Sequence, residues 1–496
     1  MLRRNGIWLR ITVAALVLAV LPSALHAETF MRSDQVLRVS AYQVPVGMRL
    51  AAASGAYAAV QSGAGSGLAK TPDDYGQNWR ALRQTTEIVA MNAVMTLFGY
   101  AFMDEDGFGV SYDTIENNLQ NGYEWDDNSF SANNFRHPYQ GANYFGAARS
   151  NHYNFWYSSM WAFLGSFLFE YTGEAHHPSY NDWINTAIGG IGLGEPLYRF
   201  QLMALDNTAT GSKRMWRELG GFLILPLAGF NRLVTGAAFE PHQNPTDDMP
   251  DHIGGRFDMG TRTLSEGRIW EEDHTRAYFD FYLHYGDLFR PVDKPYDAFA
   301  FRAQLIVNNK PHGIGRLQSR GVLASANVYE SDRSQHLISA DQLYDYIDNE
   351  AYTYGGQTIA ASYYSRFWKG ERFEARTAIS LGAIIMGANQ SDYFNISGRE
   401  YDYGPGAGYI VRAEFLRNGR NVFSVGTAGF WVHSVNGTRA DHYNRVTDIR
   451  VDYPIKEFIG VGMDYVLYEV NSHYQDYPDV NTRAPELKFY LAWFTK

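Results

Sequence analysis

From about Ile253 to its end the chain repeats its hydropathy every second residue, and this pattern constrains the fold more than any other feature. Phe279, Phe281, Leu283 and Tyr285 alternate with Tyr278, Asp280, Tyr282 and His284. Thr377, Ile379, Leu381 and Ala383 alternate with Arg376, Ala378, Ser380 and Gly382, and Ile459 to Tyr468 repeats the theme. Apolar residues on one face and small or charged ones on the other are what a strand between lipid and a polar lumen requires. Twelve such segments are predicted, from 253–264 and 274–285 to 485–495, and an even number suits a closed barrel. A soluble β-sandwich shows the same alternation, but its strands run to ~5–6 residues, against the ~9–11 a membrane strand needs. The 35 Tyr, 30 Phe and 11 Trp fit aromatic girdles at two lipid–water interfaces.

Upstream the pattern changes. Residues 1–27 combine a basic start, an apolar run and ALHA before Glu28, which predicts a cleaved secretory signal peptide. Residues 28–78 are rich in Ala, Gly and Ser and predict a flexible segment. Residues 79–240 predict a helical domain and 253–496 the transmembrane barrel. Helices are expected over Trp79–Met103, over His152–Tyr171, from Ser179 with Ser179 as N-cap and Asp182 reaching back to it, and over Lys213–Leu233 with a kink at Pro226. They are too short or too polar to cross a bilayer alone, so a periplasmic domain or a plug in the barrel mouth is expected. The fold class is therefore α+β: a helical domain followed by an antiparallel outer-membrane barrel of about twelve strands.

The sequence contains no cysteine, which excludes disulfides, thiolate metal sites and a lipoprotein anchor. Its net charge of −11 argues against nucleic acid as a partner. The chemistry-bearing side chains concentrate between Asn133 and Arg199. Glu170 lies four residues after Ser166 on one helix face, among Phe167, Leu168, Phe169 and Tyr171. Burial there suits a general acid or base. His137, read as a loop residue before Pro138, and Arg149, a forked cation, complete the cluster. The candidate catalytic residues are His137, Arg149, Ser166, Glu170 and Asp182. The competing reading is a satisfied polar network in which Glu170 pairs with Arg149 or His137 and Asp182 caps a helix. No cofactor is expected, and the adjacent His176 and His177 diverge too far to assign a metal with Glu174.

Several of these residues fall in a pattern. His137-Pro138-x2-Gly141-x2-Tyr144-x3-Ala148-Arg149, Gly165-Ser166-x3-Glu170, Ser179-x2-Asp182-x3-Thr186-x2-Gly189-Gly190 and Gly194-Glu195 resemble a bacterial family known only as domain of unknown function 3943. The resemblance continues through Asn231-Arg232 into Leu343–Asn349 and Gly355-Gly356-Gln357. It implies an exported envelope protein and assigns no activity. Ser179-x2-Asp182-x2-Asn185-x3-Gly189 is also similar to a motif of the VanZ-like membrane family.

Two functions are expected to compete. One is an outer-membrane barrel with a helical plug, serving transport or envelope organisation. The other is an enzyme acting on lipid or lipopolysaccharide acyl or phosphate groups through His137, Arg149 and Glu170. Outer-membrane lipid is the expected partner, with lipopolysaccharide or a small solute as further candidates. Asp280, His284, Arg302, Arg376, Arg412, Glu414, Asp448, Arg450 and Asp464 are expected in the lumen, where mixed charge should pair and close it.

Overall fold

The structure is a computed structural model that describes residues 77–102, 105–265, 274–307, 313–369, 372–394 and 398–495. The expected signal peptide, and all but the last two residues of the flexible segment, lie outside the described residues. Twelve strands form the C-terminal half: β1 (Ile253–Leu264), β2 (His274–Tyr285), β3 (Phe299–Ile306), β4 (Ile314–Glu330), β5 (Ser334–Asp348), β6 (Thr353–Lys369), β7 (Phe373–Gln390), β8 (Tyr401–Arg417), β9 (Arg420–His433), β10 (Ala440–Lys456), β11 (Ile459–Tyr474) and β12 (Val480–Phe494). Each pairs antiparallel with its neighbour in sequence, and β12 returns to β1 with Trp493 opposite Phe257, closing the barrel. Closure gives every strand two partners and leaves no edge. One rim carries two-residue turns, at 418–419 and 457–458, beside the 286–298 connection from β2 to β3; the other carries loops such as 391–400.

Exposure fixes the two faces. On β7, Ile379 and Leu381 are 48% and 66% exposed, while Ser380 between them is buried. Met259, Ile338, Ile359, Val411 and Met463 mark the same outward face on β1, β5, β6, β8 and β11. The inward face holds charge, much of it in ion pairs. Arg256 reaches Asp258 at 2.7 Å and Asp452 at 2.6 Å, and Arg450 reaches Asp258 at 2.8 Å. Arg302 meets Asp280 at 2.7 Å, Arg320 meets Asp341 at 2.9 Å and Lys488 meets Glu486 at 3.0 Å. Such pairing is what lets buried charges persist.

The N-terminal half is helical: α1 (Gln77–Phe102), α2 (Tyr112–Asn121), α3 (His137–Ser150), α4 (Phe155–Thr172), α5 (Tyr180–Ile184), α6 (Gly190–Ala204), α7 (Gly211–Ile224) and α8 (Pro226–Val234), with a single turn at Glu105–Phe108. A π-helical turn leads into α3 and another joins α5 to α6. α3 and α6 lie side by side through small residues. A Cβ on Gly141 would stand 1.7 Å from the Thr186 carbonyl oxygen, and one on Gly190 would stand 2.6 Å from the Gly141 backbone. The predicted kink at Pro226 is a full break at Leu225. The predicted loop around His137 is instead the start of α3, entered without a break from the π-helical turn and with Pro138 in its first turn.

The helices are neither a plug nor a separate domain beneath the barrel. They dock on its outward face, over β2 to β8. The Tyr344 hydroxyl donates to the Asn134 carbonyl at 2.7 Å and the Gln342 amide to the Ile188 carbonyl at 3.0 Å. Both residues share the face of exposed Ile338 on β5. Gly355, against Asn134, and Gln357, against Gly189, share the face of exposed Ile359 on β6. Phe200 packs edge-to-face on Phe301 at 5.0 Å, and Phe130 stacks on Tyr346 at 5.5 Å. The inward face of the wall carries ion pairs among its own strands instead.

Candidate functional site

The five candidate residues do not form one site; they divide between two clusters at opposite ends of the helical unit. At the long-loop rim, Glu170 on α4 accepts the Ser179 backbone N–H at 2.8 Å, while the Asp182 N–H donates to the Ser179 hydroxyl at 3.2 Å. Ser179 is the N-cap of α5 as predicted, but Glu170, and not Asp182, takes the cap's own N–H. His137 sets Nδ1 3.1 Å from the Thr186 hydroxyl and Nε2 3.6 Å from the Asp182 carboxylate. The Asn181 amide donates to Asp182 at 3.1 Å and its carbonyl oxygen receives the Asp126 N–H at 3.0 Å. Ser166 donates to the Trp183 carbonyl at 3.5 Å, which ties α4 to α5. The barrel wall closes the cluster: Asn185 donates to the Tyr403 hydroxyl at 3.0 Å, and Asn133 donates to the Tyr401 hydroxyl. Glu174, just beyond α4, is pushed up to about 7 by burial, against the pull of His137.

Arg149 belongs to the other end. Glu195 on α6 accepts from Arg149 at 2.8 Å and from Arg199 at 2.7 Å. Asp248, in the segment leading to β1, accepts from Arg149 at 2.7 Å, and Arg199 also reaches Asp297 at 3.2 Å and the Tyr285 hydroxyl at 3.2 Å. Two guanidiniums thus share two carboxylates, with the Tyr285 ring and hydroxyl completing the seat. Burial alone would raise Asp248; the Arg199 and Arg149 guanidiniums hold it below the usual carboxylate range. Residues 155 to 170 of α4 separate the two clusters by about 22 Å of helix. Neither Arg149 nor His137 pairs with Glu170.

Burial decides what this arrangement can do. His137 and Arg149 are each 8% exposed, Asp182 and Ser166 1%, and Glu170 2%. A general base must come within hydrogen-bond reach of substrate; these groups face backbone amides, caps and each other, and one Glu170 carboxylate oxygen is left without a hydrogen-bond partner. The hydrogen bonds of the two clusters join the helices to one another and to the barrel wall. Among the described residues no group of three or more His, Asp and Glu side chains is placed to hold a metal. Glu195, Arg199 and Asp248 were not among the candidates. The i,i+4 spacing of Glu195 and Arg199 is the signal that could have found them.

Residues 122–227 match a family model described as Domain of unknown function (DUF3943), which contains both clusters except Asp248 and the barrel side chains. No curated protein matches the chain. Among solved structures it is similar to the NanC porin (6% identity, 48% of this chain and 100% of that one, TM-score 0.28). It is also similar to the KdgM porin in complex with disordered oligogalacturonate (5%, 48% and 98%, TM-score 0.23). A third likeness is to the outer membrane channel DcaP of Acinetobacter baumannii (9%, 49% and 96%, TM-score 0.20). At these scores the likenesses transfer no role.

Proposed function

We propose that this protein is an outer-membrane barrel that anchors and presents its helical unit, an envelope-organising role, and that it is not a wide pore. The observation that carries this reading is the burial of charge across the lumen. Asp258, Arg262, Asp341 and Glu486 point inward and are 0% exposed, whereas a side chain lining an open aqueous channel would be wet. The outward apolar band would meet lipid acyl chains, and export through a signal peptide would bring the chain there.

A second reading, passage of a small solute, has its own support. Arg376, Arg412, Glu414 and Asp448 line the lumen near the short-turn rim and keep roughly a quarter to a third of their side chains exposed. They would form a polar vestibule of both signs. Planar-bilayer conductance of the refolded protein separates the two. The anchoring reading expects no stable steps in the wild type and steps in an R262A/E486A double variant that opens the lumen. Wild-type steps whose ion selectivity changes in R412A would establish solute passage and defeat the closed-lumen reading.

A further inference from the structure

We infer that the helical unit is itself embedded in the bilayer beside the barrel, with its outward helix faces against lipid acyl chains. The inference rests on the reading of the barrel as a membrane barrel and adds that the membrane continues around the helices. Four observations carry it.

The first is position. The helices occupy the outward face of β2 to β8, which in a bare barrel would face lipid, and they extend from Tyr401 and Tyr403 at one rim to Tyr285 at the other.

The second is polarity, which is reversed relative to a water-soluble helical domain. The interior holds Gln84, Asn92, Asn143, Asn151, Glu195 and Arg199, all at most 5% exposed. The exterior holds Val94 and Leu97 on α1 at 65% and 67%, and Trp156, Met160, Leu164 and Phe167 on α4 at 42–59%. From Thr85 to Phe102 and from Trp156 to Thr172 no exposed residue is charged. Surfaces in water interleave charge, and monomers rarely expose contiguous apolar area of this extent.

The third is packing. Gly141, Gly190 and Gly194 bring α3 and α6 into backbone contact, and polar side chains bridge the remaining helices: Asn92 to the Gly165 carbonyl at 3.4 Å and Thr96 to the Gly173 carbonyl at 2.7 Å. Small residues and interhelical hydrogen bonds hold helices together where lipid supplies no hydrophobic drive.

The fourth is span. Exposed Trp79 and Tyr100 stand about 31 Å apart along α1, close to the ~30 Å of a hydrocarbon core, and such rings anchor at its two interfaces. No described helix is long and apolar enough to cross a membrane alone. Docking on the barrel, which continues directly into the apolar helix faces, resolves that shortfall by covering their polar sides.

The absence of cysteine makes the test clean. The full chain with one cysteine at a time, L97C, L164C, L381C or K213C, is spin-labelled, reconstituted in phosphatidylcholine vesicles and checked for heat-modifiable migration. Accessibility to oxygen, which concentrates in lipid, is compared with accessibility to a water-soluble nickel chelate. Leu381 on the barrel wall is the lipid reference and Lys213, 65% exposed, the aqueous one. The expected result is that labels at 97 and 164 favour oxygen as at 381, opposite in sign to 213. Chelate access at 97 and 164 with lipid access at 381 overturns the inference and leaves the barrel reading standing. Shielding from both agents overturns it in favour of a covering protein or second copy. Chelate access at 381 defeats the membrane reading itself.

Discussion

In the barrel, Arg256 meets Asp258 and Asp452 inside a wall whose outer face carries Met259, Ile379 and Leu381. In the helical unit, Arg149 and Arg199 meet Glu195 between helices whose outer faces carry Trp156, Leu164 and Leu97. Both turn charge inward and apolar groups outward, but the cohesion differs. Each strand is held to two neighbours by backbone hydrogen bonds around a closed ring, so no single side chain holds the wall. Helices satisfy their backbones internally, so side-chain contacts and close packing at glycines, with no shared backbone ladder, join one helix to the next and to the barrel. The helical unit should therefore be the part that a point substitution releases.

The largest effect is expected from G141L. Its Cβ would collide with the Thr186 carbonyl, a backbone atom that cannot move aside without separating α3 from α6. The cost should exceed about 4 kcal/mol, in the class of severe overpacking. Limited proteolysis should show the helical unit cut while the barrel keeps its heat-modifiable migration. Loss of both together would make them one cooperative unit and end the distinction.

Next come two matched substitutions. Glu195 lies between Arg149 and Arg199, and Glu486 between Arg262 and Lys488; both acids are fully buried. E195Q and E486Q each leave two buried cations short of a partner, at about 3–5 kcal/mol. The consequences should separate by region. E195Q should expose the helical unit to protease with the barrel's unfolding temperature unchanged; E486Q should lower that temperature. If E195Q lowers it equally, the helices brace the wall.

The same contrast governs what the sequence disclosed. A period of two announces which face is which, so β1 and β2 were legible to the residue. The worst strand boundary was the start of β12, expected at 485; β12 begins at Val480, and Pro485 sits within it opposite Leu467. The helical half was legible in its caps and breaks, as at Ser179, and not in its placement. Helix docking is written in contacts such as Asn134 with Gly355, more than two hundred residues apart, and no local period encodes them. The five candidate residues read as one cluster because they are near in sequence. α4 carried Glu170 about 22 Å along from the Arg149 end, and α6 brought Glu195 back to Arg149.

The smallest expected effect isolates the charge that ties the two regions together. Asp248 sits between the helical unit and β1, accepts from Arg149 at 2.7 Å, and lies 3.3 Å from Arg199, whose hydrogen-bond partner Tyr285 stands at the end of β2. Its backbone has φ 62°, a region that Asn tolerates, so D248N removes the charge and keeps the shape. The expected loss is about 1–3 kcal/mol of helical-unit stability. The pH dependence follows in sign. Although burial alone would raise it, the carboxyl is held below its ordinary value by Arg199 and Arg149, so its contribution is fully present above the unfolded value of about 4. That contribution is lost as pH falls through the folded value. Urea midpoints for release of the helices should then differ between wild type and D248N by a constant amount from neutral pH down to about 4. The two should converge in stronger acid. A gap that persists there would mean that Asp248 acts through shape, and the ionic tie between helices and barrel would have to be sought in Asp297.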